Sequence, residues 1–402
     1  MKPEDSLLII GASARHVAQS ANSAGLYPLA IDLFGDWDLR KIADCTQVKS
    51  LSRLDVEASS SRFEPGQQFL ICGGMETRTD VVTQLASKFS FLGPQPSQLS
   101  RIQNPFLLSD ICRANSIAFP PVRRFDNISK IDEVDCKWLV KPLLGTGGHA
   151  ISHWANDSKN QSISENQFLQ KQIHGASYSA LFACDDCSTA LLGITQQLIG
   201  PPFSDKPFAY CGSVGPVQLN ETIEQELARA GDCIAEAFRL VGCFGIDFVV
   251  DANDLPWLIE INPRIPASAE VFELAGCFGS IVSVHLRSCT GGPSAPPATA
   301  RTLAGKAIVY SDFATILEID DSIFDFLKSK SLCNATFADS DAAQFSIADI
   351  PQPGTKILPG HPIVSIFVAG QTVETAIGQL IDAARKTRDS IKKLADFAPA
   401  SS

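Results

Sequence analysis

The chain has 402 residues, 45% of them hydrophobic and 19% charged, enough apolar material for two or three cores and too much for a disordered polymer. A formal net charge of −11 argues against a nucleic-acid backbone as the main partner but leaves nucleotides open, since these need only a local cluster of cations. No apolar run approaches the ~20 residues of a membrane span, and the stretch after Met1 is too short for a signal peptide, so a cytoplasmic protein is expected.

Leu7–Ile10, then Gly11-Ala-Ser-Ala-Arg15 and an Ala/Ser-rich run to Ala24, predict strand, tight turn and helix, with Gly25 as the cap. Tyr27–Ile31 predicts a second strand ending at Asp32, and Phe69–Cys72 before Gly73-Gly74 a third. A helix follows over Asp80–Lys88. Together these predict a short Rossmann-like α/β unit in the first quarter. Asp32 stands ~20 residues beyond Gly11, where a dinucleotide-binding fold keeps its ribose acid. The glycine fingerprint is broken, however, because positions 13 and 16 are Ser and His.

Asn104–Ser116 predicts a helix closed by Phe119-Pro120-Pro121. Lys137–Leu143 predicts a strand containing Trp138-Leu-Val-Lys141-Pro142, followed by the loop Leu144-Gly145-Thr146-Gly147-Gly148-His149. Glycines let backbone N–H groups approach phosphate oxygens, and Lys141 supplies a point charge. The lysine precedes the glycines, so this is not a P-loop. Taken alone, a glycine-rich hairpin tip explains the loop as simply.

Phe168–Ser179 reads as an apolar strand broken at Gly175, whose backbone can offer a donor and an acceptor to an adenine edge; an amphipathic edge strand is the plainer reading of the same residues. Cys184-Asp-Asp-Cys187 has metal or redox spacing. It falls between two strand-like runs, with no second Cys or His pair at zinc-ribbon distance, which favours a hairpin turn. Most of the twelve cysteines read as buried free thiols of a reducing compartment.

After a long amphipathic helix over Glu221–Leu240 comes the most informative stretch, residues 242–264. Two apolar runs, Ile246–Val250 and Trp257–Ile261, flank a polar turn at Asp251–Leu255. Antiparallel pairing brings Asp247 near Glu260 and Asn262, and the latter two share a strand face. Three hard oxygen donors on one face suit Mg²⁺. Arg264 lies just beyond, where a guanidinium can hold a phosphoryl or carboxylate oxygen. An ordinary hairpin with solvated acids is the alternative. Thr290–Thr299 reads as a breaker-rich linker, and the last hundred residues hold strands at Gly305–Tyr310 and Ile363–Val368 and a helix over Val373–Lys393.

In this order, Trp-Leu-Val-Lys141-Pro with its Gly-x-Gly-Gly, the Gln170–Ser179 segment, and Asp247 followed by Glu260-x-Asn262-Pro-Arg264 resemble the ATP-grasp superfamily. The resemblance runs from Leu7 to about Leu286, with an echo in Asp349–Ile366. Asp32-Leu-Phe-Gly-Asp36-x-Asp38 and Phe208-Ala-Tyr-Cys-Gly212 look like a group of predicted ATP-grasp carboligases. The resemblance implies an α/β, ATP-grasp fold: a Rossmann-like domain over 1–100, an ATP-grasp domain over 101–290 with a small lid at about 125–195, and a C-terminal α/β domain over 300–402.

By the same resemblance, ATP and Mg²⁺ (or Mn²⁺) are the cofactors. Lys141 touches the α/β-phosphates, and Gly145, Thr146, Gly147 and Gly148 close over the nucleotide. Lys171, Gln172 and Ile173 form an adenine hinge, Asp247, Glu260 and Asn262 hold the metal, and Arg264 is the catalytic cation. The implied activity joins a small-molecule carboxylate to an amine through an acyl phosphate, releasing ADP and phosphate. The alternatives are a bicarbonate-phosphorylating carboxylase, a non-catalytic nucleotide binder and a dehydrogenase resting on Gly11 and Asp32. Arg15, Asp32, Asp36 and Asp38 are the substrate-binding candidates of the first domain, and Arg264, Ser268 and Glu270 face the acceptor. The expected partners are small molecules, with neither nucleic acid nor membrane, and a homodimer is the default assembly. Two departures stand out. Asn104-Pro105 replaces the phosphate-binding lysine many relatives carry at a helix start, leaving Arg101 nearest. Lys171 and Ser177 stand where hinge acids are frequent.

Overall fold

The computed structural model describes residues 5–124, 137–154, 164–185, 188–291, 300, 302–316, 322–332 and 345–397. Its first unit contains β1 (Ser6–Gly11), α1 (Arg15–Ser23), β2 (Tyr27–Asp32), α2 (Trp37–Ile42), β3 (Asp44–Gln47), α3 (Arg53–Ser60), β4 (Gln68–Ile71), α4 (Thr79–Ala86), β5 (Ser90–Phe91) and α5 (Pro96–Ile102). The five strands form a parallel sheet in the order β3-β2-β1-β4-β5. Every residue of β1 is buried, because helices cover both faces, as in parallel sheets generally. Leu7 and Ile9 pack with Val17 and Ala21 of α1, whereas Leu8 and Ile10 pack with Val56 of α3 and Val82 of α4. The Rossmann-like reading holds. The reading missed β3, β5 and the short helices, which are too brief to show a period.

The helix α6 (Pro105–Ala114), capped by the Asn104 side chain on the Phe106 and Leu107 amides, leads to a small antiparallel sheet. This contains β6 (Val122–Arg124), β7 (Trp138–Pro142), β8 (Ser152–His153) and β9 (Gln167–Lys171), ordered β6-β9-β7-β8. Residues 125–136, 155–163 and 186–187 of the expected lid lie outside the described residues.

The larger sheet begins with β10 (Ala176–Cys184), β11 (Thr189–Ile199) and β12 (Tyr210–Val217). After α7 (Glu221–Phe238) it takes up β13 (Gly242–Val250) and β14 (Pro256–Asn262). β10 and β11 are a hairpin with Cys184 opposite Thr189; Asp186 and Cys187 of the CxxC spacing lie outside the described residues. On β13, Phe244, Ile246 and Phe248 pack toward α7, with Phe244 stacked on Phe182 at 5.0 Å. Alternation therefore sends Asp247 to the opposite face.

Next come α8 (Ala269–Leu274), α9 (Ile281–Cys289), β15 (Leu303–Tyr310), β16 (Thr315–Ile316), α10 (Ser322–Ser329), β17 (Ser346–Ala348), β18 (Lys356–Ile357), β19 (Pro362–Gly370) and α11 (Val373–Phe397). Strands β15, β19 and β17 extend the large sheet, whose order is β14-β13-β10-β11-β12-β15-β19-β17. The expected C-terminal unit is thus hydrogen-bonded to the preceding one, with Gly212 opposite Ala307. Residues 292–299 of the expected linker lie outside the described part.

Candidate active site

The small and large sheets face each other across a cleft of about 360 Å³, lined from the small-sheet side by Lys141 and Gln170 and from the large-sheet side by Ser179, Gln197, Asp247, Glu260 and Asn262. Lys141 is 7% exposed. Its Nζ donates to Gln170 Oε1 at 3.1 Å and lies 4.0 Å from Glu260 Oε2. One cation thus spans the two sheets.

The hairpin β13–β14 pairs Asp247 with Glu260 and Gly245 with Asn262. A bulge after that pair leaves Ile259 as the extra residue, so Leu258 and Ile261 both reach the core while Glu260 and Asn262 keep to the cleft. Asn262 Nδ2 donates to Asp247 Oδ2 at 3.2 Å. Burial and the neighbouring Glu260 carboxylate push the Asp247 carboxyl up to about 7, despite hydrogen bonds from Ser179 and Gln197. Two carboxylates pressed together with an amide oxygen beside them are a donor set short of positive charge, which fits a hard divalent cation. Among the described residues no three His, Cys, Asp or Glu side chains cluster as a metal site. The set here is two carboxylates and an amide.

Arg264 is fixed from two sides. Its Nε and Nη2 contact Glu76 Oε1 at 3.0 and 2.9 Å, and Nη2 donates to Asn262 Oδ1 at 3.3 Å. Glu76, 2% exposed, comes from a single turn of 3-10 helix at Met75–Thr77, just past the Gly73-Gly74 turn. Its Oε2 has no partner among the described residues. Sequence reasoning missed Glu76. The only signal was its place after Gly73-Gly74 at the end of β4, the edge at which ligands of open α/β sheets gather.

The glycine loop docks on the far wall. Gly147 O accepts from the Tyr210 amide at 2.9 Å, and His149 Nε2 lies 3.2 Å from the Tyr310 hydroxyl. Gly148 has φ +73°, and a Cβ there would overlap the Phe208 carbonyl oxygen. Only glycine can both take that conformation and come so close. Thr146 and Gly145 line a second lobe of the cleft with Glu76, Gln103 and Ile151. His149, read as a solvated lid tip or a functional residue, is exposed but sets its ring edge-on to Tyr310, with centroids 5.3 Å apart.

Lys171, Gln172 and Ile173 line the open end of the cleft. Gln170 Nε2 and Gln172 Oε1 are buried and have no partner among the described residues. Gly175 sits against the end of β13, where a Cβ would overlap Val250 O, so the chain must break there.

Several candidates fall elsewhere. Arg101 is exposed in the last turn of α5 and lines no part of the cleft, whereas its neighbours Ile102 and Gln103 do. Asp32 is fully buried and accepts the amides of Ala14, Phe34 and Gly35 at 2.7, 2.7 and 2.6 Å. That carboxylate closes the β1–α1 turn and has no face left for a ribose. Asp38 likewise accepts the amides of Asp349 and Ile350, each at 2.9 Å. Glu270 is buried between Arg15 and Lys306, with Lys306 Nζ at 2.6 Å. The two cations hold its carboxyl far below the usual range despite burial. Ser268 lines the cleft, and Arg15, Asp36 and Arg264 line a cavity of about 630 Å³ beyond it.

Residues 104–268 match the ATP-grasp domain family. No curated protein sequence matches the chain significantly. Similar folds among solved structures include N5-carboxyaminoimidazole ribonucleotide synthetase from Thermotoga maritima, at 15% identity and TM-score 0.66 over 95% of this chain and 98% of that one. Carboxyaminoimidazole ribonucleotide synthase from Aspergillus clavatus, solved with ATP, gives 15% identity and TM-score 0.71 over 96% and 99%. Pyruvate carboxylase from Rhizobium etli gives 15% identity and TM-score 0.69 over 99% of this chain but 40% of that one. Residues 104–268 thus match an ATP-grasp domain, and along nearly its whole length the chain shares the fold of these ribonucleotide synthetases.

Proposed function

We propose that the chain is an ATP-dependent ligase that forms a C–N bond between a small-molecule carboxylate and an amine through an acyl phosphate. The carrying observation is the convergence of Lys141 with Asp247, Glu260, Asn262 and Arg264 in one cleft beneath a docked glycine loop. Lys141 supplies positive charge to the α/β-phosphates. Gly145, Thr146, Gly147 and Gly148 cover them with backbone amides and exclude water, which hydrolyses an acyl phosphate. Lys171, Gln172 and Ile173 hold the adenine edge, beside Gln170, whose Nε2 has no partner among the described residues. Arg264, held by Glu76, receives the charge that develops on the transferred phosphoryl group. Asp247, Glu260 and Asn262 are the residues to hold Mg²⁺ or Mn²⁺, which when bound neutralises phosphate charge. We also propose the division into 1–100, 101–290 and 300–402 as functional units, with the acceptor cavity where they meet.

A second reading is favoured by the fold neighbours, whose names describe a carboxyamino product and a carboxylase. In it the carboxylate is bicarbonate and the amine is carboxylated. Both readings use the same residues. An ADP-release screen over carboxylate and amine pairs separates them: amine- and carboxylate-dependent ADP supports the ligase, and bicarbonate dependence the carboxylase. Tight ATP binding with no turnover under any pair contradicts both and leaves a nucleotide sensor. In the active pair, E260Q and N262A are expected to lower kcat at least a hundredfold with the circular-dichroism spectrum unchanged.

A further inference from the structure

The cavity beyond Arg264 is walled by the C-terminal edge of the first sheet, the docked glycine loop and the region of β15, β18 and β19, and its volume is about 630 Å³. Its buried charges can be paired off one by one. Arg15 is taken by Asp349, at 2.9 Å, and by Glu270; Lys306 is taken by Glu270. Asp32 and Asp38 have their backbone amides. Lys356 and His361 are exposed at the rim.

Asp36 is left over. It is 4% exposed and lines the cavity, and its carboxylate accepts no hydrogen bond from any described residue. It stands at the N-cap of α2, where an aspartate ordinarily accepts an amide of the first turn, yet its side chain makes no capping bond. Arg15 offsets part of its charge but is itself held by Asp349 and Glu270, and a carboxylate facing a cavity without a protein donor is a ready acceptor for an incoming cation. Burial and the carboxylates of Asp349, Asp32 and Asp38 push its carboxyl well above the usual range.

We infer that Asp36 is the docking point for a protonated amino group of the co-substrate that fills this cavity. The inference rests on the ligase reading of the site and adds a substrate class to it. Asp36 follows β2, while Gly73, whose Cβ position is 3.5 Å from Arg264 Nη2, follows β4. These strands flank β1, so their ends stand about 10 Å apart at ordinary strand spacing. The ammonium held by Asp36 is therefore remote from the phosphoryl centre and is not the group that reacts. The co-substrate is bifunctional, a diamine or an amino acid, with one cationic end anchored and the other presented to Arg264.

The test compares full-length wild type with D36N in Mg²⁺ and ADP. The probes are 1,4-diaminobutane, L-lysine and L-alanine, each alongside its acetylated, uncharged-nitrogen form, followed by calorimetry. At least one free-ammonium probe is expected to bind the wild type, and acetylation or D36N to weaken it roughly tenfold or more, as for a charge-assisted hydrogen bond. Equal binding of acetylated and free forms, an unchanged affinity in D36N, or no ammonium binding at all overturns the inference. Substrate-free D36N is expected to match or exceed the wild-type Tm; a fall of about 5 °C or more makes Asp36 structural and overturns it too. Absence of Mg-ADP binding in the wild type overturns the ligase reading instead, and the same comparison without nucleotide still decides the ammonium site.

Discussion

Glu76 and Lys141 do different work at the scale of single residues, and their substitutions separate. Glu76 touches Arg264 and no other described cation, so E76Q should free the guanidinium to wander. Its expected effect is a kcat loss of ten- to hundredfold, with KM for ATP changed less than threefold and E76D recovering part of the rate. K141A removes a cation that faces the nucleotide cleft, and should raise KM for ATP at least tenfold while costing kcat less. Steady-state kinetics of both variants check this; equal effects on both constants would contradict the division. Asp247, Glu260 and Asn262 could be grouped from the sequence because strand alternation and antiparallel pairing put such side chains on one face, whereas Lys141 and Arg264 were joined to them by the family resemblance. Glu76 could not be, because its partner lies 188 residues away. Arg101 misled for the opposite reason: it stood near in sequence, but its helix turned it outward.

Two elements carry further tests. The glycine loop is docked through a close backbone approach at Gly148, so G148A should hold the loop open. The expected result is ADP release that exceeds product formation severalfold, since water then reaches the acyl phosphate; tight coupling in G148A would contradict a water-excluding role. His285 of α9 fixes the β13 start: Nδ1 accepts the Cys243 amide at 2.8 Å, which leaves Nε2 to donate to Leu92 O at 3.1 Å. That neutral tautomer is buried, and burial lowers its pKa from 6.5 to about 4. The unfolded chain binds this proton first as pH falls, so stability is lost between pH 6.5 and 4, by up to about 3 kcal/mol. Urea midpoints of wild type and H285N should converge across that window and differ most above it. Neither His285 nor the β15–β12 pairing could be read beforehand, because both depend on contacts between distant segments. Long periodic elements such as α7 and α11 were legible, since an amphipathic period is written locally.

Across the whole molecule, three stretches of chain meet at one place. The edge of the parallel sheet brings Glu76 and Asp36, the large sheet brings Asp247, Glu260, Asn262 and Arg264, and the small sheet brings Lys141 with its glycine loop. Continuity of the large sheet from β14 to β17 ties the C-terminal residues into the same frame, so Lys306, Tyr310 and Asp349 reach the cavity beyond Arg264. The central claim is that the cleft grips a metal–nucleotide between Lys141 and the β13–β14 ribbon. Crystals grown with Mn²⁺ and a nonhydrolysable ATP mimic test it most directly. An anomalous peak within about 2.5 Å of oxygens of Asp247, Glu260 or Asn262, with the triphosphate running to Lys141, is the predicted result. Nucleotide bound elsewhere, or in this cleft with manganese away from all three side chains, would contradict it.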